Sequence, residues 1–477
     1  MEVKYPQEIN FFTTYSCNSR CLNCFIWKEQ ELAPTREELD SEEINKLFSD
    51  SLFVRCTTLG LAGGEPTISP FFWKLLGRLP EDKRIAITTN ALNSKELVDF
   101  LSRSQNNKGR VIQVSVDGLE EVNDRVRGIK GAYRKAIALL EQLQELDVER
   151  LVSFTINRLN YHQVKDCYEL ANHYGAEFST RLAYCGGAYS NRQKHRLYEF
   201  NHKELEVLDR LLESIVFQEL QRPGHYPPKV IFISKIIDYY RGVQQDLPCK
   251  ALETGMVIDL YGDVFPNCPA IMKPIGNLKQ EKLSDIWAGK RADEVRKEID
   301  ALKCGGCWND CQMVNNIALD KDFVDREYEK LKIAFLRGRP VPDIIDFDRN
   351  EFSLLLNGWF ALEGDAGFRL RWSEQEFSIL SPQGTRSLEI FGMLPKPNTH
   401  SYTPGTLDVV VDNERTASIT LVESQWKNYS ITLIRPVEDL TPIRFKLSRY
   451  YCPREEGKSN DGRKLGMAVN RISFLRR

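Results

Sequence analysis

The chain has 477 residues, which predicts about three domains at about 150 residues each. Its 65 lysines and arginines nearly balance 67 aspartates and glutamates, and a net charge of −2 excludes a global field that would attract nucleic acid or anionic membranes. The apolar share of 42% and the charged share of 28% are typical of folded domains and exclude a disordered or fibrous chain.

The first segment, MEVKYPQEINFF, has acids and a proline where a secretory signal needs a basic start and an apolar core. The longest candidate span, VIFISKIIDYY, contains Lys235 and Asp238 and is too short to cross a bilayer. We therefore expect a cytoplasmic protein that has no transmembrane segment and no nucleic-acid partner. In such a chain, twelve cysteines indicate metal or redox chemistry and not disulfides.

The first group of cysteines follows the run EINFFTTYS, whose β-branched and aromatic residues predict a strand. Cys17, Cys21 and Cys24 then lie on a loop at the carboxyl end of that strand, where barrel enzymes place their chemistry. Three thiolates with no nearby histidine would leave one iron of an iron–sulfur cluster without a protein ligand, whereas structural zinc usually takes four protein ligands. A zinc site completed by a distant ligand is the alternative.

The C-x3-C-x2-C spacing of this group resembles that of the radical SAM superfamily, in which a 4Fe-4S cluster binds the amine and carboxylate of S-adenosylmethionine (SAM). The resemblance continues with a GGEP turn after the second predicted strand and with polar ends of the third and fourth strands. One departure is Asn23, which stands where the family usually has an aromatic residue. By this resemblance, the residues that bind the cofactor are Gly63, Gly64, Glu65, Asn90, Ser115 and Asp117.

Two further strands are predicted near residues 151–157 and 177–184, and amphipathic helical segments separate the strands. This alternation predicts parallel βαβ units in an α/β fold. Six units resemble the partial (β/α)6 TIM barrel of the superfamily over residues 1–205, and a helical connector over 206–245 follows. Cys185 comes directly after the sixth strand, at the barrel rim, where it could give a hydrogen atom to a substrate radical. Burial as an ordinary packing cysteine is the alternative for Cys185.

The second group of cysteines surrounds two strand-like runs about a Gly-Asp turn, which predict a hairpin. The order of these features resembles the SPASM or twitch module of radical SAM enzymes, over residues 246–320. Five cysteines are too few for two fully thiolate-ligated clusters, so we predict one auxiliary 4Fe-4S cluster, with zinc as the alternative. By the resemblance, the ligands are Cys249, Cys268, Cys304 and Cys307, with Cys311 either spare or replacing one of them.

The last third begins with a predicted helix and linker over residues 321–345. Short alternating strands separated by Gly, Pro and Asn turns then predict an all-β sandwich over 346–477. The segments 357–360 and 459–466 resemble the β domain appended to some bacterial glycosyltransferases of surface-polysaccharide pathways. For this region we expect a role in binding a glycan or a partner.

The resemblance implies an oxidoreductase or isomerase that cleaves SAM reductively to a 5′-deoxyadenosyl radical, which abstracts a hydrogen atom from a substrate. Flavodoxin or ferredoxin is the expected electron donor. The polysaccharide-like β region favours a sugar or glycan precursor that undergoes oxidation or epimerisation. The alternative is maturation of a ribosomally made peptide or protein, because SPASM-like modules are found in enzymes that modify such peptides. A non-catalytic iron–sulfur scaffold is the remote alternative.

Overall fold

The computed structural model describes residues 5–28, 36–104, 107–183, 197–222, 225–268, 271, 273–301, 308–339, 341–349, 353–365, 368–395, 405–422, 424–455 and 458–476, without the side chains of residues 311 and 365. The chain divides into two compact units. The first comprises Met1–Val216 and Pro228–Asp320, and the second comprises Phe217–Pro227 and Lys321–Arg477.

One sheet organises the first unit. Its strands are β1 Glu8–Phe12, β2 Thr58–Ala62, β3 Arg84–Thr89, β4 Arg110–Ser115, β5 Glu149–Ile156, β6 Glu177–Leu182, β7 Gly255–Asp259, β8 Asp263–Pro266 and β9 Gly276–Asn277. Their order is β6-β5-β4-β3-β2-β1-β7-β8-β9, and every pair from β6 to β7 is parallel. The six predicted barrel strands are therefore confirmed.

Helices connect and flank these strands. They are α1 Ser41–Phe48, α2 Ser51–Arg55, α3 Pro70–Leu76, α4 Lys95–Arg103, α5 Glu120–Arg127, α6 Ala132–Glu145, α7 Val164–His173, α8 His202–Gln221, α9 Pro227–Ser234, α10 Ile236–Tyr240, α11 Leu283–Ala288, α12 Lys290–Ala301 and α13 Asp310–Leu319. Helix α1 begins at a capping box, in which the Asp40 carboxylate accepts from the Glu43 backbone and the Glu43 side chain accepts from the Asp40 backbone.

Alternation along the strands separates an apolar face from a polar one. In β5, Val152, Phe154 and Ile156 are fully buried. Ser153 and Thr155 alternate with them and therefore point to the opposite face of the sheet, which is the barrel interior. The interior thus carries hydroxyl groups, while the other face packs as the hydrophobic core.

The predicted hairpin around the second cysteine group is present, because β7 and β8 pair antiparallel. The structure adds a connection that the sequence did not indicate. Strand β7 pairs in parallel with β1, with Glu8 opposite Gly255, so the hairpin extends the barrel sheet. The two cysteine groups are thereby attached to adjacent strands.

The second unit contains α14 Lys321–Leu336 and two antiparallel sheets. The strands are β10 Ile344–Asp346, β11 Trp359–Asp365, β12 Phe368–Ser373, β13 Glu376–Ser381, β14 Ser387–Met393, β15 Gly405–Val411, β16 Glu414–Leu421, β17 Lys427–Thr432, β18 Thr441–Leu447 and β19 Ala468–Leu475. One sheet has the order β11-β12-β19-β14-β17, with β10 on β19, and the other has the order β13-β18-β15-β16.

Aromatic side chains occupy the core of this unit. The rings of Phe377 and Phe445 stack with their centroids 4.8 Å apart. Trp359 packs edge-on against Phe377, with a centroid distance of 4.9 Å. The Trp359 indole N–H also donates to the Ser378 carbonyl at 3.0 Å. The predicted all-β region is confirmed, and Trp359 serves its packing.

No helix within the described residues is long and apolar enough to cross a membrane.

Candidate active site

The first cysteine loop follows β1 and is bonded to the end of helix α5. The backbone N–H groups of Arg20 and Leu22 donate to the carbonyls of Arg127 and Val126 at 3.1 and 2.9 Å. The Ser19 hydroxyl also donates to the Arg127 carbonyl at 2.8 Å. The last carbonyls of a helix have no partner inside the helix, so the loop satisfies them. The loop is therefore fixed by its own backbone.

Two glycines allow this close approach. Gly128 ends α5 with φ +70, and a Cβ there would lie 2.3 Å from the Arg20 carbonyl oxygen. A Cβ on Gly64 would lie 1.9 Å from the Ser16 carbonyl oxygen. The Glu65 N–H donates to that same Ser16 oxygen at 2.8 Å. The GGEP turn thus packs against the loop that carries the cysteines, which explains Gly64 without reference to SAM.

The thiol groups of the loop lie in a polar environment, in which Cys21 is buried and Cys17 and Cys24 are half-buried. The Ser19 N–H lies 3.4 Å from the Cys17 sulfur, and the Ser19 hydroxyl lies 3.3 Å from the Cys21 sulfur. Burial raises the pKa of Cys17 above its ordinary value and raises the pKa of Cys24 to about 12. Because the thiolate is the metal-binding form, cluster assembly must release protons from this loop.

The three thiols of the loop share one cleft. Cys17, Cys21 and Cys24 all line it. Three cysteines in one cleft are the set that a 4Fe-4S cluster with one iron free of protein ligands would need.

Glu65 is 1% exposed, and its carboxylate is surrounded by donors. It accepts from the Thr67 hydroxyl at 2.8 Å, the Thr89 hydroxyl at 2.8 Å and the Asn90 N–H at 2.7 Å. Burial raises its pKa above the ordinary value, although these hydrogen bonds oppose the shift. The carboxylate therefore joins the turn after β2 to the end of β3.

Asp117 lies behind the cleft and orients an arginine that faces it. One Asp117 oxygen accepts from the Thr155 N–H at 2.8 Å, and the other pairs with Arg127 at 3.1 Å. Burial alone would lower the pKa of Arg127, but Cys21, Asp117 and Cys17 raise it above the ordinary value. The guanidinium thus keeps a positive charge beside the thiols. Asp117 holds this arginine in place.

These groups line a cleft of about 170 Å³. The predicted residues that line it are Cys17, Cys21, Cys24, Gly63, Gly64, Glu65, Asn90 and Ser115. The cleft residues that sequence reasoning did not select include Arg127, Ser153, Thr155 and Arg181. The signal for the last three was present, because each alternates with apolar residues in β5 or β6 and so faces the barrel interior.

Phe25, the aromatic residue that follows the third cysteine, packs outside the cleft. Asn23 lines the cleft. Phe25 packs edge-on against Trp27 at 6.3 Å, and the Lys28 ammonium lies 4.7 Å from the Phe25 ring. Cys185 lies outside the described residues, so its role as a hydrogen donor stays a prediction.

The second cysteine group is gathered from distant segments of the first unit. Burial raises the pKa of Cys249, and the nearby Cys268 raises it further. Helix α13 reaches the same place, because the Lys250 N–H donates to the Asn316 side chain at 3.0 Å. The side chains of Asn267 and Gln312 also meet at 3.4 Å.

The start of α13 therefore lies next to the segment of Cys268. Cys304 and Cys307 lie outside the described residues, and so does the side chain of Cys311. The full ligand set stays a prediction.

Comparison with known proteins identifies both regions. Residues 11–171 match the radical SAM superfamily, and residues 249–312 match the SPASM iron–sulfur cluster-binding domain. The chain carries a radical SAM domain followed by a SPASM domain. The cofactors of the first domain are a 4Fe-4S cluster and SAM, and the SPASM domain holds auxiliary iron–sulfur clusters. Neither match extends beyond residue 312, so the likeness of the C-terminal region to glycosyltransferase β domains stays a prediction.

Three curated relatives illustrate the similarity. Pre-heme d1 synthase of Dinoroseobacter shibae is 25% identical over 318 residues, 62% of this chain and 77% of that protein. The sporulation killing factor maturation protein SkfB of Bacillus subtilis is 28% identical over 298 residues, 61% of this chain and 67% of that protein. PqqA peptide cyclase of Bradyrhizobium diazoefficiens is 27% identical over 192 residues, 39% of this chain and 49% of that protein.

Proposed function

We propose that this radical SAM enzyme matures a peptide, by abstracting a hydrogen atom from one of its residues. The pairing of a radical SAM domain with a SPASM domain carries the proposal. Relatives named as a maturation protein and as a peptide cyclase support it. The sequence interpretation placed a sugar first, and these relatives favour its peptide alternative.

The residues of the cleft fit the cofactors of such an enzyme. When bound, the cluster and SAM supply reductive cleavage to a 5′-deoxyadenosyl radical and hydrogen abstraction. Cys17, Cys21 and Cys24 would hold the cluster. Arg127 keeps its charge beside these thiols and presents a guanidinium suited to the carboxylate of SAM. Glu65 fixes the GGEP turn, which lines the cleft where the cofactor would bind.

The second cysteine group supports an oxidation. An auxiliary cluster held there could accept the unpaired electron of the substrate radical while a proton leaves the substrate to solvent, which would make the net change in the substrate a two-electron oxidation. Flavodoxin or ferredoxin would supply the electron that starts the reaction. Return of a hydrogen atom from Cys185 would instead give epimerisation, the alternative outcome within the same proposal. The Cys185 thiyl radical left behind would then take one electron from the flavodoxin or ferredoxin and one proton from solvent.

The test uses anaerobically reconstituted protein, SAM, a reductant and separate peptide and glycan fractions from the native cell. Mass spectrometry should find a peptide that loses two hydrogen atoms only when SAM is present. Incubation in deuterated water distinguishes epimerisation, because the product then gains solvent deuterium without other change. Modification of a saccharide or a porphyrin, with no change in any peptide, would refute the peptide proposal.

A further inference from the structure

The cleft contains a second arginine, Arg181, on the wall formed by β5 and β6. It lies near the end of β6 and alternates with the buried Thr180 and Leu182, so it points into the barrel interior. Its side chain is 26% exposed, and its Nη2 donates to a carboxylate oxygen of Asp310 at 3.2 Å. Arg181 therefore lines the cleft while Asp310 orients its guanidinium.

The residue that orients Arg181 comes from the SPASM domain. Asp310 begins helix α13 and directly precedes Cys311 in the chain. The oxygen that pairs with Arg181 also accepts from the Ser179 hydroxyl at 2.5 Å. Ser179 and Arg181 of β6 thus both bind Asp310 at the start of α13. Arg181 consequently sits between the cofactor cleft and the segment assigned to the auxiliary cluster.

A different arginine lies at the cysteine end of the cleft. By the resemblance to the radical SAM superfamily, the carboxylate of SAM binds the cluster, so it would lie near the thiols. Arg127 lies at that end, because its carbonyl accepts from the Arg20 N–H and the Ser19 hydroxyl of the cysteine loop. Arg127 pairs with Asp117, whose other oxygen accepts from the Thr155 N–H on β5, and Arg181 lies one strand further, on β6. Arg181 is therefore a second cation of the cleft, next to the strand that carries Thr155.

We infer that Arg181 is the substrate anchor and that the substrate presents a carboxylate to it. A planar guanidinium binds a carboxylate through two parallel hydrogen bonds, and partial burial strengthens such pairs. The neighbouring wall supplies further donors, because Thr155 is the register partner of Arg181 and Ser153 that of Ser179. This inference rests on the proposed function and narrows its substrate to a peptide with an acidic side chain or a free chain end in the cleft.

Ligand-observed NMR titration of the reconstituted holoprotein, with SAM present, tests the inference. The probes are N-acetylglutamate α-amide for a side-chain carboxylate, N-acetylalanine for a chain end, and N-acetylglutamine α-amide as the neutral match. We expect one or both carboxylates to bind at millimolar Kd and at least about tenfold more tightly than the neutral amide. The carboxylate that binds more tightly identifies its source in the substrate.

The variant Arg181→Gln should weaken the carboxylate by about 10- to 100-fold, and Arg181→Lys should weaken it less. The matched control is Arg134→Gln, since Arg134 also pairs with a carboxylate but is 78% exposed.

Equal binding of all three probes, no binding of either carboxylate, or unchanged affinity in Arg181→Gln would overturn the inference. So would a loss confined to SAM, which would make Arg181 a cofactor ligand. SAM cleavage without carboxylate preference overturns only this inference, whereas absence of SAM cleavage overturns the proposed function.

Discussion

The two cysteine groups are built in opposite ways. The first lies on one loop, whose backbone is bonded to the end of helix α5 through Arg20 and Leu22. The second is assembled from the approach to β7, the end of β8 and the start of α13. The first site therefore has all three cysteines on one loop that the backbone already fixes, whereas the second depends on bringing three separate segments together. This difference leads us to expect that metal loss disturbs the second site more than the first.

Removing the cysteines of the first group should give the largest difference between the two sites. The triple variant Cys17→Ala, Cys21→Ala, Cys24→Ala should keep about half of the roughly eight irons expected for two 4Fe-4S clusters. Its fold should persist, because the bonds that fix the loop use backbone groups and not thiols. Iron and sulfide analysis with circular dichroism measures both effects. Retention of all iron would show that these thiols hold no cluster.

Removing the second group should cost stability as well as iron. Cys249→Ala with Cys268→Ala should lose the other half of the iron and should unfold at lower temperature than the triple variant. A matched control is Cys167→Ala, which alters a fully buried cysteine outside both groups. The two-site comparison fails if both cluster variants unfold at the same temperature.

A third experiment tests the role of Arg127 beside the first cysteine loop. Arg127→Gln keeps the loop contacts to the helix backbone but removes the charge that Asp117 orients. We expect the Kd for SAM to rise by about 10- to 100-fold while iron content is retained. Equilibrium binding measures this, with the exposed Arg134→Gln as control. An unchanged Kd would mean that Arg127 serves only to pack the loop.

A fourth experiment concerns the contact that joins the two regions, and its effect depends on pH. The Tyr15 hydroxyl, on the first loop, donates to Asp259 at the end of β7 at 3.0 Å. Burial raises the pKa of Asp259 to about 6. Because the folded-state pKa lies above the unfolded value of about 4, this group favours folding at low pH, and that contribution is lost as pH rises through about 6.

Asp259→Asn should therefore be more stable than the wild type at about pH 8, by at most about 3 kcal/mol, and the advantage should shrink at about pH 5. Urea unfolding at both pH values measures it, with the exposed Asp99→Asn as control. A variant that is less stable than wild type at both pH values would show that the Tyr15 contact needs the carboxylate.

Sequence alone predicted what depends on local pattern. The alternation of β1 to β6, the loop of Cys17, Cys21 and Cys24 and the β7–β8 hairpin are all encoded within short segments. Features set by distant partners were not predictable in the same way. The parallel pairing of β7 with β1 joins Glu8 to Gly255. Asp310, which orients Arg181, lies 129 residues away in the chain.

The role of Gly64 also depends on a distant partner that the sequence does not indicate. Its position in a GGEP turn suggested an approach to SAM, yet the atom that leaves no room for a Cβ is the Ser16 carbonyl oxygen. Arg127 is the last residue of helix α5. Its place in the cleft depends on the ion pair with Asp117, which only the folded chain displays.

The central claim is that the loop of Cys17, Cys21 and Cys24 supports reductive cleavage of SAM. The most direct measurement is 5′-deoxyadenosine formation by anaerobically reconstituted protein with dithionite and SAM, compared between the wild type and the triple alanine variant. We predict 5′-deoxyadenosine from the wild type and none from the variant. Equal formation by both proteins, or none from a wild type that carries its full complement of iron, would contradict the account.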